Sequence, residues 1–224
     1  MKIERRNLVV AMSVLASAPA HAQFGGLGGM LGGKSGGGGG GDVDSQVKGF
    51  LDKSVSIETT LNKALLAIVA AYAKDEDRAK YQARFQELGK PTDPKEAGAK
   101  FQETYQSSEA DAKKLASSAD LETQTKQLTA EKQQQVAKGV LNFLLGAFQA
   151  KDVVPMGQNI MQSVSSNPMA IPKVVPVKDA IPRLTNAMSL AASTLPQFVK
   201  VLRGANIQVA EVSASTKEEK IESI

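Results

Sequence analysis

The most regular apolar pattern in the chain covers residues 43–73. Apolar and small side chains recur there at alternating steps of four and three residues, which places them on one face of an α-helix. From Ala64 to Ala73 every residue is apolar or aromatic, so this end of the helix must be enclosed by other elements. The pattern therefore predicts the central helix of a bundle. The apolar face consists of Val43, Val47, Phe50, Ser54, Ile57, Leu61, Ala64, Ile68 and Ala71.

A second strongly apolar stretch is predicted to form a helix over residues 129–150. Asn142 is the only polar residue between Gly139 and Phe148. Such a segment needs cover on all sides, and the apolar end of the first helix is its natural partner. We expect these two segments to form the centre of the core. The predicted core residues are Leu61, Leu65, Ile68, Val69, Val140, Phe143 and Leu144.

Two shorter helices are predicted between these segments. Tyr81, Phe85 and Leu88 have helical spacing, and Gly89-Lys90-Pro91 is a typical helix end. Asp93-Pro94-Lys95-Glu96 then combines a capping Asp, a Pro at the first helical position and a Glu that can reach back to the cap. The helix that follows has small residues at half of its core positions. Residues 117–127 are polar and are expected to form a helix end or a hinge.

The last third of the chain is rich in proline. Six of the nine prolines lie at positions 155, 168, 172, 176, 182 and 196. Residues 156–164 suit a short helix, while 171–177 are expected to be extended and to lie across the bundle. A further helix should start near Asp179, and Pro196 should kink it or begin a last helix that ends at Gly204. Residues 205–224 are expected to form a loose tail that is disordered from Ser213.

The beginning of the chain resembles an export signal. A basic start, MKIERR, precedes a modest apolar stretch and the small-residue pattern Ala20-His21-Ala22. Signal peptidases cleave after such a pattern, so cleavage is expected between Ala22 and Gln23. The protein would then be periplasmic or secreted. Residues 23–42 contain so many glycines that we expect a flexible leader.

These segments together predict an all-α protein. Its folded part is an irregular antiparallel bundle of about five to six helices over residues 43–204. The expected organisation is a signal peptide at 1–22, the glycine-rich leader at 23–42, the helical domain, and the tail at 205–224.

Composition excludes several kinds of chemistry. The chain has no Cys, and its single His lies in the predicted signal peptide at His21. A Ser-His-Asp or Cys-His catalytic site is therefore impossible after cleavage. Removal of residues 1–22 also lowers the formal net charge from +4 to +2. Nothing in this charge favours nucleic acid as a partner.

Three sequence patterns resemble parts of ligand-binding sites but lack the other features that such sites need. Residues 28–35 match a nucleotide-binding phosphate loop, but no strand precedes them and glycines follow where the helix should begin. Asp42-x-Asp44 lacks the rest of a calcium loop. The four methionines after the leader (Met156, Met161, Met169 and Met188) are spaced too irregularly for a copper site, and packing explains them better. No cofactor, metal, nucleotide or catalytic residue is predicted.

Two function classes are then favoured over an enzyme. The first is an interaction or structural module of the bacterial cell envelope, whose partner is a protein or another envelope component. The second is a carrier or surface binder of an apolar ligand or lipid. A carrier needs a cavity between its helices, whereas an interaction module needs an exposed apolar patch.

Overall fold

The computed structural model describes residues 41–88, 94–164, 168–221 and 224. These residues form six α-helices and a 3₁₀ helix, and they contain no β-strand. The all-α fold and the helical bundle predicted from the sequence are confirmed. The helices are α1 (Gly41–Tyr72), α2 (Asp75–Glu87), α3 (Pro94–Ala116), α4 (Leu121–Gln127), α5 (Ala130–Val164) and α6 (Val175–Gly204), with the 3₁₀ helix at Pro168–Val174 before α6.

Several predicted features lie outside the described residues. They are the signal peptide, its cleavage site at Ala22 and Gln23, most of the glycine-rich leader, and the capping residue Asp93. Residues 41 and 42, predicted as the end of the leader, open α1 instead. Asp44 lies in the first turn of α1, where its carboxylate is 2.9 Å from the ammonium group of Lys173.

α1 and α5 pack against each other in antiparallel orientation. Three glycines of α5 make this approach close, because a β-carbon at each would lie within 3 Å of an atom of α1. The positions run in opposite directions along the two helices, as an antiparallel pair requires. The contacts are Gly139 with Ala64 and Ile68, Gly146 with Leu61, and Gly157 with Phe50.

The core lies where α3 and α6 pack on this pair. Leu144 is half-buried and packs against the main core cluster. The other predicted core residues are almost fully buried, each at most 2% exposed: Leu61, Leu65, Ile68, Val69, Val140 and Phe143.

Judged by length and composition alone, α1 could cross a membrane. The segment Val43–Tyr72 has a mean hydropathy of 1.2 over its most apolar window, and 78% of that window is buried inside the protein. Burial of this extent is typical of the central helix of a bundle.

The prolines interrupt the C-terminal helices less than predicted. α5 continues through Pro155 to Val164, so residues 156–164 are part of α5 and not a separate helix. Residues 171–177 are not extended, since they form the end of the 3₁₀ helix and the first turn of α6. α6 then continues through Pro196 to Gly204. A proline removes one backbone hydrogen bond from a helix, and the buried apolar residues on both sides of each proline hold these helices together by packing.

The C-terminal tail differs most from its prediction. Its described residues after Asn206 form no helix or strand, as expected of a tail. They are nevertheless anchored, since the backbone of Glu219 is hydrogen-bonded to the buried side chain of Asn142, and Ile224 is 3% exposed. The expectation of disorder from Ser213 is therefore wrong for the described part of this segment.

Candidate functional site

An open cleft of about 840 Å³ lies where α1, α3 and the beginning of α6 meet. We refer to it as the cleft. α1 supplies one wall with Leu51, Ser54, Val55 and Glu58. The other walls come from residues 98–102 of α3 and residues 172–186 of the 3₁₀ helix and α6.

Small residues of α3 make room for the cleft. Gly98 is buried, and Ala99 beside it has only a methyl side chain. A β-carbon at Gly98 would lie 2.8 Å from a terminal nitrogen of the Arg183 guanidinium. The absent side chain at Gly98 thus allows Arg183 to lie directly against the α3 backbone.

A buried ion pair lies in the cleft. Nε of Arg183 donates to Oε1 of Glu58 at 2.9 Å, and the two side chains are 18% and 3% exposed. Burial raises the pKa of Glu58 above its ordinary value, and the charge and hydrogen bond of Arg183 offset part of that rise. The second carboxylate oxygen, Oε2, has no hydrogen-bond partner among the described residues. A buried carboxylate oxygen normally has one. Oε2 lies beneath the surface of the cleft, so a donor from a ligand would reach it only after a neighbouring side chain moved.

The rim of the cleft includes exposed apolar side chains. Val175 is 49% exposed, and Ile171, next to the cleft residue Pro172, is 51% exposed. Leu51 and Val55 are half-buried on the opposite wall. A ligand would therefore bury apolar surface at the rim before it reaches the ion pair.

The charges of the cleft are balanced. Two acidic residues, Glu58 and Asp179, are matched by two basic residues, Lys178 and Arg183. The amide side chains of Gln102 and Asn186 add groups that both donate and accept hydrogen bonds. The cleft thus offers hydrogen bonding without an excess of either charge.

Polar side chains also line the contact between α1 and α3. Ser54, Glu58 and Asn62 follow one another at four-residue spacing, and all three are buried. The amide nitrogen of Asn62 donates to the backbone oxygen of Phe101 at 3.3 Å. Oδ1 of Asn62 and the hydroxyl of Tyr105 have no hydrogen-bond partner among the described residues. The interface between α1 and α3 is thus less completely paired than a typical core.

Other candidate ligand residues lie outside the lining of the cleft. Three adjacent acidic residues, Asp75, Glu76 and Asp77, are exposed in the first turn of α2, and no group of three or more potential metal ligands occurs within the described ranges. Met156, Met161 and Met188 are half-buried against the main core.

Sequence reasoning did not single out Glu58 or Arg183. The available signal was the four-residue spacing of Ser54, Glu58 and Asn62, which places three polar side chains on one side of α1. Arg183 gave no comparable signal, because a basic residue on an amphipathic helix is usually solvated.

Comparisons with known proteins returned no relative. Protein-family models, curated proteins and solved structures all fail to match this chain. The chemistry of the cleft is therefore the main indication of function.

Proposed function

We propose that this protein is a non-enzymatic interaction module of the bacterial cell envelope that binds a segment of a partner protein in the cleft. The observation that carries the proposal is an open cleft with exposed apolar residues at its rim and the pair of buried Glu58 with half-buried Arg183 inside it. Binding sites of this kind combine apolar walls with a few polar groups that fix orientation.

A peptide segment matches the chemistry of the cleft. Each peptide unit offers one N–H donor and one carbonyl acceptor. The exposed amides of Gln102 and Asn186 can each donate to a peptide carbonyl and accept from a peptide N–H. A strongly anionic lipid headgroup would favour a surplus of basic residues, and the cleft has none. An uncharged peptide segment with apolar side chains fits both the rim and the polar groups.

The openness of the cleft favours an interaction module over a carrier. A carrier encloses most of the surface of its ligand. Here the apolar rim at Val175 and Ile171 faces solvent. α1 and α5 approach each other too closely at Gly139, Gly146 and Gly157 to leave space for a ligand at these points. A partner that remains partly outside the cleft suits this shape better.

One observation supports the alternative, a carrier of a small apolar ligand. Within the part of the chain that the structure describes, Oε2 of Glu58, Oδ1 of Asn62 and the hydroxyl of Tyr105 lack hydrogen-bond partners at the contact of α1 with α3. If α3 moved away from α1, these groups could receive the polar end of such a ligand. The alternative requires that movement, whereas a peptide can pair with the exposed amides of Gln102 and Asn186 without it.

Location in the envelope is part of the proposal. It rests on the basic start, the apolar stretch and the Ala20-His21-Ala22 pattern of the sequence. An exported chain without Cys has no disulfide to stabilise it. The large buried core meets that need.

Native mass spectrometry of the protein purified from the envelope of the producing cell separates the two functions. The interaction module predicts a complex with a second protein. A bound mass of a few hundred daltons, about that of a small lipid or drug-sized ligand, would favour the carrier. A bare monomer at every protein concentration would contradict both.

A further inference from the structure

A second apolar cluster lies on the side of α1 that the main core leaves uncovered. Leu66, Ala67 and Ala70 of α1 are fully buried, but they form a cluster of their own with Phe85 of α2. This cluster is separate from the core that α3, α5 and α6 build. The apolar side chains of Ile221 and Ile224 from the C-terminal tail complete its cover.

The tail is held there by its backbone. The side-chain nitrogen of Asn142 donates to the carbonyl oxygen of Glu219 at 2.7 Å, and the N–H of Glu219 donates to Oδ1 of Asn142 at 2.8 Å. Asn142 is 1% exposed and lies on α5. One amide side chain thus satisfies both backbone groups of a single residue, which neighbouring strands do for each other in a sheet. Gln82 of α2 donates to the backbone oxygen of Ile224.

The side chains of the tail contact the helices at a few positions. Residues 217–220 are exposed, and among them Glu218 accepts a hydrogen bond from Thr60 at 3.2 Å. The apolar contacts come from Ile221 and Ile224, two and five positions after the residue held by Asn142. Backbone hydrogen bonds combined with a few spaced apolar anchors are typical of peptide recognition.

The tail can leave this surface without unfolding a helix. α6 ends at Gly204, and the described residues from Ile207 onward form no regular secondary structure. The free energy needed to detach a segment with few buried contacts is lower than the free energy of unfolding the whole protein. The surface would then expose Leu66, Ala67, Ala70 and Phe85 beside an unpaired Asn142.

We propose that this surface, which we call the tail groove, is a second peptide-binding site whose occupant in the free protein is its own tail. The tail groove consists of Leu66, Ala67, Ala70, Gln82, Phe85 and Asn142. It takes an extended segment of a partner protein that carries aliphatic residues two and five positions after the residue bound by Asn142. The tail shows which chemistry the groove accepts, and a partner segment must displace it. This site is independent of the cleft.

The test uses the full-length chain and a fluorescent synthetic peptide of residues 213–224. Fluorescence anisotropy measures peptide binding to the wild type and to a double variant, Ile221→Asp with Ile224→Asp, whose own tail is weakened. A tethered tail competes at a high effective concentration, so the double variant should bind the peptide about tenfold more tightly or better. Adding Asn142→Ala to that variant should reverse this gain. A peptide with Asp at both isoleucine positions is the control and should not bind.

A second tail variant provides a result if the double isoleucine variant fails to fold. Glu219→Pro removes the N–H that Oδ1 of Asn142 accepts and leaves both isoleucines in place. Like the double isoleucine variant, it should bind the peptide more tightly than the wild type does. Its helical circular dichroism spectrum should match that of the wild type. The proposal is overturned if neither tail variant binds the peptide better than the wild type. It is equally overturned if both variants unfold and the Glu219 amide of the wild type exchanges hydrogen only through global unfolding.

Discussion

The α-carbon of Gly139 lies so close to α1 that a β-carbon there would be 2.9 Å from the carbonyl oxygen of Ala64. A backbone oxygen in a helix cannot turn aside as the end of a flexible side chain can. The spacing of α1 and α5 is therefore set at this point by the absence of a side chain. The remaining helices pack around a pair whose geometry depends on glycine.

Gly139→Ala should lower the free energy of unfolding by about 1–3 kcal/mol, because the added methyl group overpacks the contact between α1 and α5. Gly49 provides the matched control, since a β-carbon there would meet no atom within 4 Å. Gly49→Ala should stabilise the protein by about 0.5–1 kcal/mol through its higher helix propensity. Urea denaturation measures both changes. Equal effects of the same sign would show that helix propensity alone governs these positions.

Phe143→Ala should destabilise the protein by about 3–5 kcal/mol, because it opens a cavity in the core. Phe143 is 0% exposed, whereas Phe148 on the same helix is 37% exposed. Phe148→Ala should therefore cost much less. Thermal unfolding followed by circular dichroism compares the two variants, and similar melting temperatures would contradict the assignment of Phe143 to the core.

Arg183→Met should destabilise the protein by about 3 kcal/mol near pH 7, because it leaves the Glu58 carboxylate buried without its counter-charge. The pKa of Glu58 is already raised in the folded protein above its ordinary value of 4.5, and loss of Arg183 raises it further. The folded state then binds more protons than the unfolded state above pH 4.5, so its stability falls as the pH rises through the folded pKa. The deficit of the variant should shrink as the pH is lowered toward 4.5.

The control for this prediction replaces both partners. Glu58→Leu combined with Arg183→Met removes the buried charge together with its counter-charge, and such replacements are often neutral or stabilising. The double variant should regain most of the stability and lose the added pH dependence. Urea denaturation at several pH values provides the measurement. A deficit of Arg183→Met that is the same at every pH would show that Glu58 is not the group responsible.

Processing of the N-terminus tests the export proposal. Expression with a complete secretory apparatus should yield a chain that begins at Gln23, as determined by N-terminal sequencing and intact mass. Ala22→Asp places a charged residue where signal peptidase requires a small one and should leave the precursor uncleaved. Recovery of both proteins with residues 1–22 still attached would contradict the predicted signal.

The sequence predicted the central pair of helices because their apolar residues follow helical spacing over many turns. It did not predict how closely the pair packs, since Gly139 and Gly146 look like weak points of a helix until the facing residues are known. The prediction for the last third of the chain was partly wrong because it gave too much weight to the prolines. A separate helix was predicted after Pro155, but α5 continues through it, and α6 continues through Pro196 without a new helix beginning there. The burial of neighbouring residues such as Val154 and Leu195 compensates for the lost hydrogen bonds.

The tail and the cleft depend on contacts between distant parts of the chain. Asn142 was visible as a single polar residue in an apolar helix, and a buried amide needs a partner. That partner, Glu219, lies 77 residues away in a segment whose composition indicates disorder. Glu58 and Arg183 are 125 residues apart, and neither the charge nor the spacing of one identifies the other.

Site-specific photocrosslinking in the producing cell tests most directly whether the cleft binds a protein. A photoreactive benzoylphenylalanine replaces Val175 at the rim of the cleft or, as the control, Phe148 on α5. We predict one discrete crosslinked protein from position 175 and none from position 148. Gln102→Trp should fill the cleft and abolish the crosslink, while Gln106→Trp, one turn further along α3 and also exposed, should not. Equal crosslinking from both positions, or a crosslink that Gln102→Trp leaves intact, would contradict binding in the cleft.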